Sequence, residues 1–204
     1  MQKIDAIIFD LGGVILNIDY NLTREAFVKA GIKKFDEMYS QATADELFSK
    51  LETGEISETN FYSELNKRAG LDLSTTEIKK AWNAMLLTFR EQSLEFLNLL
   101  KPKYKLFLLS NTNHIHLKAL NKIYLEKNRD KPFEKFFDKA YYSCEIGLRK
   151  PLTDIYEFVL RQNNLIPANT LFVDDSVQNI ETAKALGIQA ILLEKGNYIE
   201  ELSL

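Results

Sequence analysis

The stretch Ala6-Ile7-Ile8-Phe9-Asp10-Leu11-Gly12-Gly13-Val14 decides how the chain is read: an apolar run ends abruptly in a carboxylate followed by two glycines. Such a run is too short for a free-standing helix and is bounded by turn residues, so it reads as a buried parallel strand. Asp10 then stands at the carboxyl end of that strand. In an open α/β sheet this edge is where ligands bind, and glycines beyond it let backbone N–H groups approach an anion. Taken alone, the stretch reads equally well as a strand-ending Asp in a tight turn.

Working outward, residues 15–20 read as an irregular connection carrying Asn17 and Asp19, and a helical pattern follows. Segments 23–30, 43–52, 57–69 and 74–89 carry apolar residues at helical spacing, with Ser57 and Ser74 as N-caps. Glu52-Thr53-Gly54-Glu55-Ile56 and Gly70-Leu71-Asp72 break them. This is a helical bundle inserted after the first strand, with Leu47, Leu51, Phe61, Leu65, Ile78, Trp82 and Leu86 as its core. From Gln92 helix and strand alternate: helices close at 94–100 and run over 114–127, 152–163 and 177–186, with strands over 105–109, 139–142, 170–173 and 189–193. The fold class is therefore α/β, a doubly wound parallel sheet formed by residues 1–16 and 90–204, with the helical bundle of 17–89 inserted.

Composition narrows the partners. With 204 residues and 46% hydrophobic content the chain can bury one sizeable core. A net charge of -3 and no basic stripe argue against nucleic acid. No apolar stretch approaches the roughly 20 residues that span a bilayer, so no membrane partner is expected. Cys144 is the single cysteine and has no partner for an internal disulfide, which fits a reducing compartment. The start of the chain lacks the order of a signal peptide, and a cytoplasmic location is the expectation.

Three further strand exits carry polar groups to the same sheet edge: Ser110-Asn111-Thr112, Gly147-Leu148-Arg149-Lys150-Pro151 and Asp174-Asp175-Ser176. Each alone has an ordinary reading as a helix cap or a favourable charge at a helix start. Together with Asp10 to Val14, and in this order, they resemble the four motifs of the haloacid dehalogenase superfamily, whose members are mostly phosphohydrolases. The inserted bundle resembles that family's small helical cap. Within the superfamily, Asp-Leu-Gly-Gly-Val, Ser-Asn-Thr-Asn, Gly-Leu-Arg-Lys-Pro and Asp-Asp-Ser-Val-Gln-Asn are similar to a group of small bacterial sugar-phosphate phosphatases with α-D-glucose-1-phosphate phosphatase-like members.

The resemblance implies an Mg²⁺-dependent phosphatase acting on a small phosphorylated metabolite, a sugar phosphate, through an aspartyl-phosphate intermediate. Asp10 would be nucleophile and metal ligand. The Gly12 carbonyl, Asp175 and Asp174 would complete the metal site, Ser110 and the Asn111 N–H would hold phosphate oxygens, and Lys150 would neutralise charge on Asp10 and the transferring group. Converging carboxylates do require a hard cation between them if they are to meet a phosphate dianion. One position departs from the family pattern: where most members carry a second Asp as general acid, this chain has Gly12. Slow turnover or a preference for good leaving groups is the expectation. That departure leaves open a metal-independent 2-haloacid dehalogenase, against which the Asp174-Asp175 pair argues, and a decayed phospho-ligand-binding protein. A monomer or homodimer is expected. Of the remaining polar residues, His114 is placed near the site mouth, a shared metal for His114 and His116 is rejected because residues two apart on a helix diverge, Trp82 reads as core, Arg90 as a surface ion pair and Cys144 as a small buried residue.

Overall fold

The computed structural model describes residues 3–39, 44–128 and 131–204. In chain order its elements are β1 (Ala6–Phe9), β2 (Leu16–Ile18), α1 (Tyr20–Lys29), α2 (Glu46–Glu52), α3 (Glu58–Ala69), α4 (Thr75–Trp82), β3 (Leu86–Phe89), α5 (Glu91–Leu100), β4 (Lys105–Ser110), α6 (His114–Lys127), β5 (Lys139–Tyr142), α7 (Ser143–Ile146), α8 (Thr153–Gln162), β6 (Thr170–Asp174), α9 (Val177–Ala185) and β7 (Gln189–Leu192). Five strands form one parallel sheet in the order β5-β4-β1-β6-β7.

The central strands are apolar along Ala6–Phe9, Leu106–Leu109 and Leu171–Val173 because helices cover both faces. Ile7, Phe9, Leu106, Leu108, Leu171 and Val173 join one hydrophobic cluster with Leu94 and Leu97 of α5 and Leu117, Leu120 and Tyr124 of α6. The alternate residues Ala6, Ile8, Phe107, Leu109 and Phe172 join another with Ile155, Tyr156 and Val159 of α8 and Ile180 and Ala183 of α9. This period of two, with helices on either side, is the doubly wound sheet that the sequence implies. The chain runs from β1 out to β4 and β5, then returns to build β6 and β7 on the other side. The order reverses beside β1, which puts the end of β1 at the point where open α/β sheets bind ligands.

Helices α1 to α4 start where short polar side chains cap them. Asp19, Asp45, Ser57 and Ser74 each accept a hydrogen bond from a backbone N–H of the first turn, and Ser74 and Glu77 complete a capping box. Their inward faces bury Phe27, Phe48, Phe61 and Trp82 fully, together with Phe35 of the 3₁₀ turn after α1. Ile115 of α6 belongs to the same cluster, so the helical layer closes its apolar underside on the α/β part.

The layer departs from the sequence reading at its return. The helix predicted over 74–89 ends at Trp82, a 3₁₀ turn covers Asn83–Met85, and Leu86–Phe89 is a strand. It pairs antiparallel with Leu16–Ile18, inside the stretch read as irregular. Ile78, Trp82 and Leu86 do share helical spacing, but a short apolar run also suits a strand when a partner lies within reach, and local spacing carries no information about that partner. Leu86 is thus half-buried in a connecting strand, where it packs against both the bundle cluster and the sheet cluster. The segment predicted from residue 43 becomes helical at Glu46, and Thr43 itself lies outside the described residues.

Candidate active site

The ladder between β1 and β6 continues one residue past the strand, with the Asp10 N–H donating to the Val173 carbonyl at 2.9 Å. The chain then winds tightly: the Leu11 carbonyl accepts from the N–H groups of Ile15 (2.9 Å) and Leu16 (2.8 Å), and Gly13 N–H donates to the Leu16 carbonyl at 2.8 Å. Gly13 sits at φ +75°, the left-handed region. A Cβ at this position would overlap the Asp175 carboxylate, so the glycine is what brings this backbone against the end of β6.

Lys150 reaches the same place from the loop after α7. Only 2% exposed, its Nζ lies 2.7 Å from Asp10 Oδ1 and 2.6 Å from Asp174 Oδ2. Burial alone would lower its pKa; Asp10 and Asp174 overcome that and hold it above the ordinary lysine range. The Lys150 backbone is clamped by the Asn111 amide, which donates from Nδ2 to the Lys150 carbonyl (2.8 Å) and accepts at Oδ1 from the Lys150 N–H (2.9 Å). Asp174 is fully buried, and its Oδ1 accepts from Ser176 N–H (2.8 Å) and Asn179 Nδ2 (2.9 Å).

Carboxylate oxygens of Asp10, Asp174 and Asp175 lie within 4.8 Å of one another. Burial, opposed by Lys150 and aided by Asp174 and Asp175, pushes the Asp10 carboxyl up to about 7. Burial and then Asp174 push Asp175 up to about 6. Close packing of like charges out of water is costly, and an all-oxygen donor set of this kind fits a hard divalent cation such as Mg²⁺. Ser110, Asn111 and the backbone turn at Gly12 line the same cavity, of about 130 Å³. Among the described residues the Ser110 hydroxyl has only a long contact, 3.5 Å, to the Asn111 carbonyl.

The cavity is also lined by residues that the sequence reading did not single out for the site: Tyr20, Tyr39, Glu52, His116 and Arg149. Arg149 donates from Nε at 2.9 Å to Glu52 Oε2, with its second nitrogen at 2.8 Å, and Tyr39 donates to Glu52 Oε1 at 3.0 Å. Burial raises the Glu52 pKa, and Arg149 opposes it. Nothing local marks Glu52, because a lone carboxylate at a helix end reads as solvated until its partner is known. Of the two histidines it is His116, not His114, that lines the cavity. Its ring stacks on Trp82 with centroids 4.5 Å apart, Nε2 lies 3.1 Å from the Trp82 carbonyl, and burial pushes its pKa down to about 4. Trp82 is fully buried core, and burial pushes the Cys144 thiol up to about 12, so it stays protonated. Arg90 makes no ion pair among the described residues; it donates to Asn17 Oδ1 (2.7 Å) and the Val14 carbonyl (3.0 Å) and stacks over Tyr198.

The sequence profile of haloacid dehalogenase-like hydrolases matches residues 4–187. The D-ribitol-5-phosphate phosphatase of Bacteroides thetaiotaomicron is 33% identical over 191 residues, which cover 93% of this chain and 92% of that one. A haloacid dehalogenase-family enzyme from the same organism, crystallised as an aspartate-to-alanine variant with magnesium and inorganic phosphate, superposes with a TM-score of 0.86 at 32% identity over 95% of each chain. A family hydrolase from Porphyromonas gingivalis superposes with a TM-score of 0.85 at 33% identity, covering 95% of this chain and 92% of that one. Profile, sequence and fold agree over nearly the whole length, and the chain belongs to the haloacid dehalogenase-like hydrolases.

Proposed function

We propose that the protein is an Mg²⁺-dependent phosphatase that removes phosphate from a small phosphorylated sugar or polyol, with Asp10 as the nucleophile. The observation that carries this reading is the cluster of Asp10, Asp174 and Asp175 with Lys150 bridging two of the three. A relative named for D-ribitol-5-phosphate and a structural neighbour holding magnesium and phosphate support it.

Asp10, Asp175 and the Gly12 carbonyl would hold the ion, with Asp174 joining directly or through water. When bound, the ion supplies positive charge to the carboxylates and to the phosphoryl oxygens. The Asp10 carboxylate attacks phosphorus, the bond to the leaving oxygen breaks, and water then hydrolyses the aspartyl phosphate. Ser110 and the Asn111 N–H hold phosphoryl oxygens, while Lys150 offsets charge on Asp10 and the transferring group. The Asn111 side chain fixes the loop that carries Lys150. Residues 17–89 act as a cap on a core of 1–16 and 90–204, and the Glu52–Arg149 pair ties the two across the cavity and helps exclude water. A small cavity lined by Tyr20, Tyr39 and Glu52 suits a hydroxylated leaving group.

The test is phosphate release from a panel of sugar and polyol phosphates and p-nitrophenyl phosphate, with Mg²⁺ and with EDTA. Metal-dependent release is expected, and release that persists undiminished in EDTA contradicts the reading.

A further inference from the structure

We propose that Tyr20 is the general acid of the reaction, delivering its hydroxyl proton to the oxygen of the departing alcohol. The proposal rests on the phosphatase reading above. An alkoxide is too basic to leave a phosphate ester readily without a proton, so a donor is needed above Asp10. Gly12, two residues after the nucleophile on the turn, has no side chain to give one. The space that its side chain would enter is taken by Ile18, whose Cδ1 would lie 2.9 Å from a Cβ built at position 12.

Of the lysine, arginine, histidine and tyrosine side chains that line the cavity, all but Tyr20 are engaged elsewhere, and the Ser110 hydroxyl is assigned above to a phosphoryl oxygen. Lys150 is held between Asp10 and Asp174. Arg149 and the Tyr39 hydroxyl are both engaged on Glu52. His116 Nε2 faces the Trp82 carbonyl, and a carbonyl only accepts, so that nitrogen carries the neutral ring's one proton. The ring is neutral because burial depresses its pKa to about 4. Tyr20 lines the cavity with Asp10 and Ser110. It begins α1 two residues after the end of β2; the intervening Asp19 N–H donates to the Met85 carbonyl just before β3 at 3.0 Å, and the Asp19 side chain caps α1. Its ring lies against Tyr39, centroids 6.2 Å apart. Burial and the charges of Asp175, Asp10, Glu52 and Asp174 all keep the proton on its oxygen until a stronger base forms.

The departing alkoxide is that base. As Asp10 bonds to phosphorus, the electron pair of the breaking P–O bond stays on the leaving oxygen, which takes the Tyr20 proton and departs as alcohol. The phenolate left behind takes a proton from the water that attacks the aspartyl phosphate. Inorganic phosphate is released, and Asp10 and Tyr20 are restored.

The experiment compares wild type and Tyr20→Phe, which keeps the ring packing, on D-ribitol 5-phosphate and on p-nitrophenyl phosphate, whose leaving group needs no proton. With Mg²⁺ present, kcat/KM for the alkyl ester should fall by about 10²-fold or more while that for the aryl ester is retained. Equal losses on both esters mean a structural or binding role, and no loss on either means no role; both overturn the assignment to Tyr20 while leaving the phosphatase reading intact. Wild type that releases phosphate from neither ester overturns the phosphatase reading, and the proton donor with it.

Discussion

At Gly13 a single methyl group separates a formed cluster from a disrupted one. The residue is at φ +75°, and a Cβ would overlap Asp175. Gly13→Ala adds left-handed strain of about 1–2 kcal/mol and pushes Asp175 away from Asp10. Calorimetric titration with Mg²⁺ should show affinity lowered by about 10- to 100-fold, the scale of a disturbed supporting contact; unchanged affinity contradicts the placement of Asp175 in the ion site. Residues of this kind were legible in the sequence because each follows an apolar strand: Asp10, Ser110, Asn111 and Asp174 all sit where a run of buried residues stops. Tyr20, Glu52 and Arg149 were not. Their environment is made by contacts between distant segments, and neither spacing nor composition encodes those contacts. The Asn111 clamp on Lys150 was hidden for the same reason, since only the N–H of Asn111 was expected to matter.

At the scale of elements, the connection between the helical layer and the sheet is an antiparallel pair of short strands, β2 and β3, with Arg90 bound to Asn17 and the Val14 carbonyl beside it. The sequence pattern showed the four helices and two of their four N-caps, Ser57 and Ser74, but ran the last helix through β3. Across the cavity the layer is tied by Glu52, 4% exposed, and Arg149, 24% exposed. The asymmetry has a consequence for stability. Arg149→Met leaves a buried carboxylate with only the Tyr39 hydroxyl as partner and should cost about 3–5 kcal/mol. Glu52→Gln leaves an arginine that still reaches water, so its cost should be clearly smaller. Urea unfolding of the two variants checks this; equal losses would mean that the pair is not held as described.

For the whole molecule, the doubly wound parallel sheet was legible from the alternation of helical and strand-like apolar runs along the chain. The closure of the helical layer on α6, through Ile115 and the Trp82–His116 stack, was not. That stack gives stability a pH dependence. His116 is neutral in the fold, with its pKa lowered from 6.5 to about 4, so the unfolded chain binds the extra proton first. Its contribution is present above pH 6.5 and is lost as pH falls toward 4. Asp10 and Asp175, with raised values, act in the opposite sense as pH falls. Comparing wild type with His116→Gln isolates the histidine: the wild-type advantage should shrink by about 3 kcal/mol over that window. A difference that stays constant with pH contradicts a neutral buried His116.

The central claim is that Asp10 carries the phosphoryl group, and its most direct test is acid quenching of the enzyme during turnover, followed by mass spectrometry of the peptide that contains Asp10. With Mg²⁺ and substrate, that peptide should gain one phosphoryl group; the gain should vanish in EDTA and in Asp10→Asn, which should also lose turnover. Phosphate release by Asp10→Asn at the wild-type rate, or a phosphoryl group found on another residue, would contradict the account.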